Sequence, residues 1–247
     1  MASPLSLPPP PEFHDLLAQE RLALFLDFDG TLVELAPEPG AIDVPQDMVD
    51  RLHRLRDTLD GRLALVTGRA LDDLESHLDD ITVCRAGSHG VSRLYADGTR
   101  LGRAPEGLPA PVVMQLREFA AEHGLLYEAK SHGGAIHFRG APEKEERAVA
   151  FARSVAEAHD LHLATGKSIA EIVRPGADKG GAVRAFLSED LFAGSLPVFV
   201  GDDTTDEDGM AAANECGGFG IAVGERDSDN ARYHLSGVGA VHQWLEL

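Results

Sequence analysis

The apolar run Leu22-Ala23-Leu24-Phe25-Leu26 ends on two aspartates, Asp27 and Asp29, set two residues apart. Carboxylates where an apolar strand ends are costly unless they do chemistry. At strand period 2 the pair points to one side, and Gly30-Thr31 then turns the chain away. Both carboxylates are thereby expected at the carboxyl end of a parallel strand, where open α/β sheets bind their ligands. Taken alone, such a run also fits an Asp-rich turn after a buried strand.

Short apolar runs alternating with helical patterns recur toward both ends of the chain, the sign of a parallel sheet with crossover helices. Strands are expected near 22–27, 62–67, 82–86, 196–200 and 218–223. Helices are expected near 45–59, 70–79, 179–189, 205–214 and 238–246. Asp43-Val44-Pro45 marks the first of these starts, and 91–103 reads as a hairpin turning at Asp97-Gly98. Between Ala104 and Pro175 the pattern changes to a proline-marked linker, a helix (112–123), strands (125–130, 134–139), a helix (142–159) and strands (161–166, 169–174). That is a small α+β unit with its own apolar faces. The domain reading is a core over 21–104 and 176–247, an inserted unit over 105–175, and a disordered tail over 1–20. The tail's proline run has neither the basic nor the apolar region of a signal peptide.

A chain of 247 residues can bury a sizeable core. Twenty-two Lys and Arg against 41 Asp and Glu leave a formal charge of −19, which argues against a nucleic-acid or anionic-membrane partner. No stretch reaches the roughly 18 uninterrupted apolar residues of a membrane helix. Cys84 and Cys216 stand far apart without ligand spacing, so both are expected reduced and buried. A cytoplasmic protein, monomeric and acting on a small molecule, suits these bounds.

Three further segments carry chemistry. Thr67-Gly68-Arg69 follows the apolar Leu63-Ala64-Leu65-Val66, and Lys179-Gly180 opens a helical pattern. Gly201-Asp202-Asp203-Thr204-Thr205-Asp206-Glu207 follows Pro197-Val198-Phe199-Val200. In order and kind the four segments resemble the motifs of the haloacid dehalogenase superfamily of aspartate-nucleophile phosphohydrolases. Glu128-Ala129-Lys130, His137-Phe138-Arg139, the stretch Gly166-Lys167-Ser168-Ile169-Ala170-Glu171 and Gly87-Ser88-His89-Gly90 narrow the match. From about residue 22 onward the chain resembles the trehalose-6-phosphate phosphatase family.

That resemblance implies an α/β fold, with a doubly wound, Rossmann-like parallel-sheet core and an inserted α+β cap domain. It implies hydrolysis of trehalose 6-phosphate to trehalose and phosphate, dependent on Mg2+. Asp27 would attack and become phosphorylated, while Asp29 protonates the sugar oxygen and then activates water. Thr67 and Lys179 would contact the phosphoryl oxygens. The ion would be held by Asp27, the backbone carbonyl of Asp29, and Asp202, with Asp203, Asp206 and Arg69 as accessory groups. Glu128, Lys130, Lys167 and Glu171 match residues that hydrogen-bond the sugar hydroxyls, although a solvent-facing polar stripe would alternate in the same way. For Arg69, His89, His137 and Arg139, structural roles and substrate contact stay equally open. A related phosphatase of sucrose or mannosylglycerate phosphates would share the core and differ in the cap. A non-catalytic sugar-phosphate sensor would be expected to lack Asp27, Asp29 or Lys179.

Overall fold

The computed structural model describes residues 7–35, 42–103, 106–130, 133–166, 168–175 and 178–247. In chain order the elements begin α1 (Phe13–Gln19), β1 (Leu22–Leu26), α2 (Met48–Thr58), β2 (Leu63–Val66), α3 (Leu71–His77), β3 (Cys84–Gly87) and β4 (Ser92–Leu94). They continue α4 (Ala110–Glu122), β5 (Leu126–Ala129), β6 (Gly133–His137), α5 (Glu145–Ala158), β7 (His162–Gly166) and β8 (Ile169–Val173). The chain closes with α6 (Lys179–Leu187), β9 (Leu196–Gly201), α7 (Asp206–Glu215), β10 (Phe219–Val223), β11 (Ala231–Leu235) and α8 (Val238–Leu245). Two compact units result, one from the chain up to Arg103 and from Asp178 on, the other from the stretch between.

The first unit holds a seven-stranded sheet in the order β11-β10-β9-β1-β2-β3-β4, parallel except for the β3–β4 pair. From β1 the chain winds one way through β2 and β3 and the other way through β9 and β10, so the β1/β9 junction is a topological switch point. Register pairs Leu22 with Leu196 through Leu26 with Val200, which brings the carboxyl ends of β1 and β9 level.

All five residues of β1 are buried. Helices on both faces require this, because alternate residues feed two cores. Leu22, Leu24 and Leu26 pack with Leu52, Val241 and Trp244 on one side. Ala23 and Phe25 face Phe186 and Phe192 on the other, with ring centroids 6.3 and 5.9 Å from Phe25. Doubly wound α/β architecture is therefore what the alternation of runs and helices produces.

Several local expectations need correction. Residues 7–20 are not a disordered tail: they include α1, whose first residue, Phe13, meets the Trp244 ring edge-on at 5.3 Å. Trp244 Nε1 donates to the Pro11 carbonyl at 2.8 Å, and the His234 amide donates to that of Pro8 at 3.1 Å. One buried ring and two backbone acceptors anchor the arm without any periodicity that a sequence would betray. Residues 1–6 lie outside the described residues. Helix α2 begins at Met48, after a turn in which the Met48 amide donates to Pro45. Strand β4 pairs with β3 through the turn at Gly87–Gly90, while the turn at Asp97-Gly98 closes only a single bridge between Leu94 and Arg100. The stretch 142–159 divides into a 3-10 turn, Pro142–Lys144, and α5. Cys84 is buried as expected but Cys216, past the end of α7, is exposed. Strand β11 lies outside the expected strands, because Arg232, Tyr233 and His234 make this edge strand polar.

The second unit is a four-stranded antiparallel sheet, β5-β6-β8-β7, with α4 and α5 on one face. Ile136, Phe138, Ala170 and Ile172 point into that helix-covered core. Glu128, Ala135, Glu171 and Ala164 stand opposite one another in a single cross-strand row, and so share the other face. Lys130 falls one residue past β5 and Arg139 two residues past β6.

Candidate active site

Helix α6 buries Lys179, Ala182, Val183 and Phe186 along one stripe. The same stripe that seats Ala182, Val183 and Phe186 in the core carries Lys179 under the carboxyl ends of the strands. Asp178 caps the helix, its Oδ1 accepting from the Gly181 amide at 2.6 Å. Asp27 continues the parity of Ala23 and Phe25, the face that α6 covers. Lys179 Nζ donates to Asp27 Oδ1 at 2.7 Å and to Asp206 Oδ1 at 2.6 Å, with the side chain only 3% exposed. Asp206, the first residue of α7, is wholly buried and also accepts from the Asp203 amide at 2.8 Å.

Asp202 closes the group from the end of β9. Gly30 has φ +78°, and a Cβ there would fall 2.2 Å from Asp202 Oδ2, so only glycine both makes the turn and leaves room for the carboxylate. Asp27, Asp202 and Asp206 each offer an oxygen within 4.8 Å of the others. One ammonium cannot balance three carboxylates, two of them buried and the third, Asp202, half-buried. Burial, then Asp206, holds the Asp27 carboxyl well above the usual range. Burial, Asp206 and Asp203 push Asp202 up to about 6. Burial opposes the charge on Lys179, yet Asp206 and Asp27 outweigh it and hold its pKa above the usual value. The excess negative charge and hard oxygen donors fit a divalent cation. Asp206 already serves Lys179 and the Asp203 amide, which leaves Asp27 and Asp202 as the carboxylates best placed to bind one.

Asp29 is held apart from this cluster. Arg69 Nε and an Nη donate to its two oxygens at 2.7 and 2.6 Å, and the other Nη donates to Asp73 Oδ2 at 2.7 Å. Thr67 follows β2, fully buried, and its Oγ1 accepts from the Arg69 amide at 3.1 Å. His89, with Ser88 before it, takes the left-handed region (φ 57° and 52°), and its ring lies against Gly68, where a Cβ would come within 2.8 Å. A cleft of about 570 Å³ is lined by Asp27, Asp29, Arg69, His89, Lys179, Asp202 and Asp203, among others. The four motif segments thus converge on one cleft, with Thr67 just behind its wall.

In the second unit, Lys130 Nζ donates to Glu171 Oε2 at 2.7 Å, and Glu128 Oε2 lies 2.7 Å from His137 Nε2. Glu171 is buried while Glu128 is half exposed. Lys167 lies outside the described residues. Two supporting residues escaped the sequence reading. Asp73 had a signal, the i,i+4 spacing from Arg69 at the start of α3. Arg226 had none: it reaches from the β10–β11 loop to the Asp202 carbonyl at 3.0 Å and Glu207 at 2.6 Å.

Residues 25–237 match the trehalose-phosphatase family model. A trehalose-6-phosphate phosphatase of Escherichia coli (strain K12) is 35% identical over 230 residues, 92% of this chain and 86% of that one. A probable trehalose-phosphate phosphatase of Sinorhizobium fredii is 39% identical over 210 residues, 82% of this chain and 77% of that one. Among solved structures, Aspergillus fumigatus trehalose-6-phosphate phosphatase superposes with a TM-score of 0.72 at 20% identity, covering 97% of this chain and 100% of the other. A haloacid dehalogenase-like hydrolase from Bacteroides thetaiotaomicron gives 0.71 at 16%, covering 92% and 99%. At such identities the two structures speak for the fold.

Proposed function

The chain belongs to the trehalose-phosphatase family, and on that footing we propose that it hydrolyses trehalose 6-phosphate to trehalose and phosphate with Mg2+ as cofactor. The observation that carries the chemistry is Asp27 at the switch point, held by Lys179 beside Asp202. The Asp27 carboxylate attacks phosphorus; the bond to the sugar oxygen breaks, and that oxygen takes a proton from Asp29. Water then gives a proton to Asp29 and adds to phosphorus, which releases phosphate and restores Asp27. Lys179 supplies a fixed positive charge to the phosphoryl oxygens. The Thr67 hydroxyl, accepting from the Arg69 amide, keeps its proton to donate. Mg2+, held by Asp27, Asp202 and the Asp29 carbonyl, would neutralise charge on the transferring group. Asp203, in the loop after β9, and Asp206, at the start of α7, support the cluster.

Specificity is assigned to Glu128, Lys130, Lys167 and Glu171; in support, Glu128 and Glu171 share a cross-strand row in the second unit, and Lys130 is bonded to Glu171. Every group named comes from one chain, which suits a monomer. Among the described residues no helix is long and apolar enough to cross a membrane. Two unpaired cysteines suit the cytoplasm.

Phosphate release across a panel of sugar phosphates, with and without Mg2+, tests the reading. Metal-dependent release, fastest on trehalose 6-phosphate, is expected. Faster turnover of sucrose or mannosylglycerate phosphates would move the substrate, and tight binding without release would replace the enzyme by a sensor.

A further inference from the structure

Resting on the phosphatase reading above, we propose that Arg69 is a positioning residue that sets the direction of the Asp29 carboxyl group for proton delivery to the leaving oxygen. Arg69 is itself immobilised from several sides. Its amide donates to Thr67 Oγ1 at 3.1 Å, and its carbonyl accepts from the Ser88 amide at 2.6 Å. Asp73 holds one Nη at 2.7 Å, and the guanidinium carbon lies 5.9 Å from the centroid of the fully buried Phe28 ring. The side chain is 16% exposed, against 26% for Asp29. Asp29, in the turn after β1, therefore takes its orientation from a partner forty residues along the chain.

The grip is two-pronged, with Nε on one carboxyl oxygen and Nη on the other. A planar fork fixes the plane of the carboxyl group as well as its place, which a single ammonium does not. Proton delivery has that requirement. As the P–O bond breaks, its electron pair stays on the sugar oxygen, the Asp29 proton moves to that oxygen, and Asp29 is left as a carboxylate facing the fork. A group displaced by about 1 Å can lose a hundredfold in such a step.

Leaving groups separate this role from two others, direct contact with the phosphoryl group and simple bracing of the loop. A sugar alkoxide needs the proton; 2,4-dinitrophenolate departs without one. The quantity to measure is kcat/KM, which covers the steps through departure of the leaving group, for Arg69→Lys, Arg69→Ala and Asp73→Asn on both kinds of ester. Arg69→Lys and Arg69→Ala should lower the value for trehalose 6-phosphate about a hundredfold while that for 2,4-dinitrophenyl phosphate falls only a few-fold. Asp73→Asn should follow in the same direction, less strongly, and it carries the test if Arg69→Ala fails to fold. Equal losses on both esters, or no loss on either, would overturn the proposal. Should the wild type prefer another sugar phosphate, the assigned substrate falls, and the same ratio taken with that ester still decides the role of Arg69.

Discussion

Lys179 sits between Asp27 and Asp206 with almost no access to water, so the three charges must be read together. Burial and Asp206 hold the Asp27 pKa above the ordinary carboxylate range. The folded protein then binds that proton more tightly than the unfolded chain, so stability from this group is present at low pH and lost as pH rises. At neutral pH the charged Asp27 works against folding. Asp27→Asn should accordingly abolish turnover, by at least about a thousandfold, while the thermal midpoint measured in chelator stays at or above that of wild type. A large drop in that midpoint would show that the carboxylate stabilises the fold. Lys179→Met is expected to behave oppositely. It strands two buried carboxylates, a loss of about 3–5 kcal/mol that urea unfolding would register.

At the scale of elements, the start of α7 does two jobs. Asp206 turns inward to Lys179, while Glu207 clamps the loop before β11, accepting from Arg226 at 2.6 Å and from the Asn230 amide at 2.9 Å. Burial opposes the Glu207 charge, but Arg226, Ser228 and Asn230 outweigh it and hold its pKa below the usual value of 4.5. The stability this gives is present above that value and is lost as pH falls through the lowered one. Glu207→Gln should cost about 1–2 kcal/mol at pH 7, a figure kept low because solvent screens part of the site. The gap from wild type should narrow in urea titrations repeated below about pH 4.5, the unfolded value; a gap independent of pH would mean that shape, not charge, sets the contribution. Strands with unbroken apolar runs, such as β1 and β9, are legible beforehand because helices on both faces demand them. Strand β11 and helix α1 are not: one edge strand with polar residues and one seven-residue helix lean on contacts from elsewhere.

For the whole molecule, the chain divides into two compact units, and the proposed function puts the chemistry in the first and looks for specificity in the second. Glu171 is the sharpest probe, being buried on the sheet face away from α4 and α5 and bonded to Lys130. Leaving polar groups unpaired costs about 1–3 kcal/mol, so Glu171→Ala should lower kcat/KM for trehalose 6-phosphate roughly tenfold to a hundredfold. p-Nitrophenyl phosphate, which lacks the sugar, should lose far less. Parallel losses on both substrates would reassign Glu171 to the folding of its own unit.

What the sequence by itself determined is what lies within a few residues: the apolar runs, the acids that follow them, the helix opened by Lys179, and the change of pattern between Ala104 and Pro175. Those follow from side-chain period and local turn chemistry, which act over one or two turns of chain. Tertiary structure alone decided the partners. Lys179 meets Asp27 across 152 positions, and Arg69 reaches Asp29 across forty. Strand order brings the ends of β1 and β9 side by side, and a charge carried into that buried junction must find its counter-charge there, wherever along the chain it happens to lie.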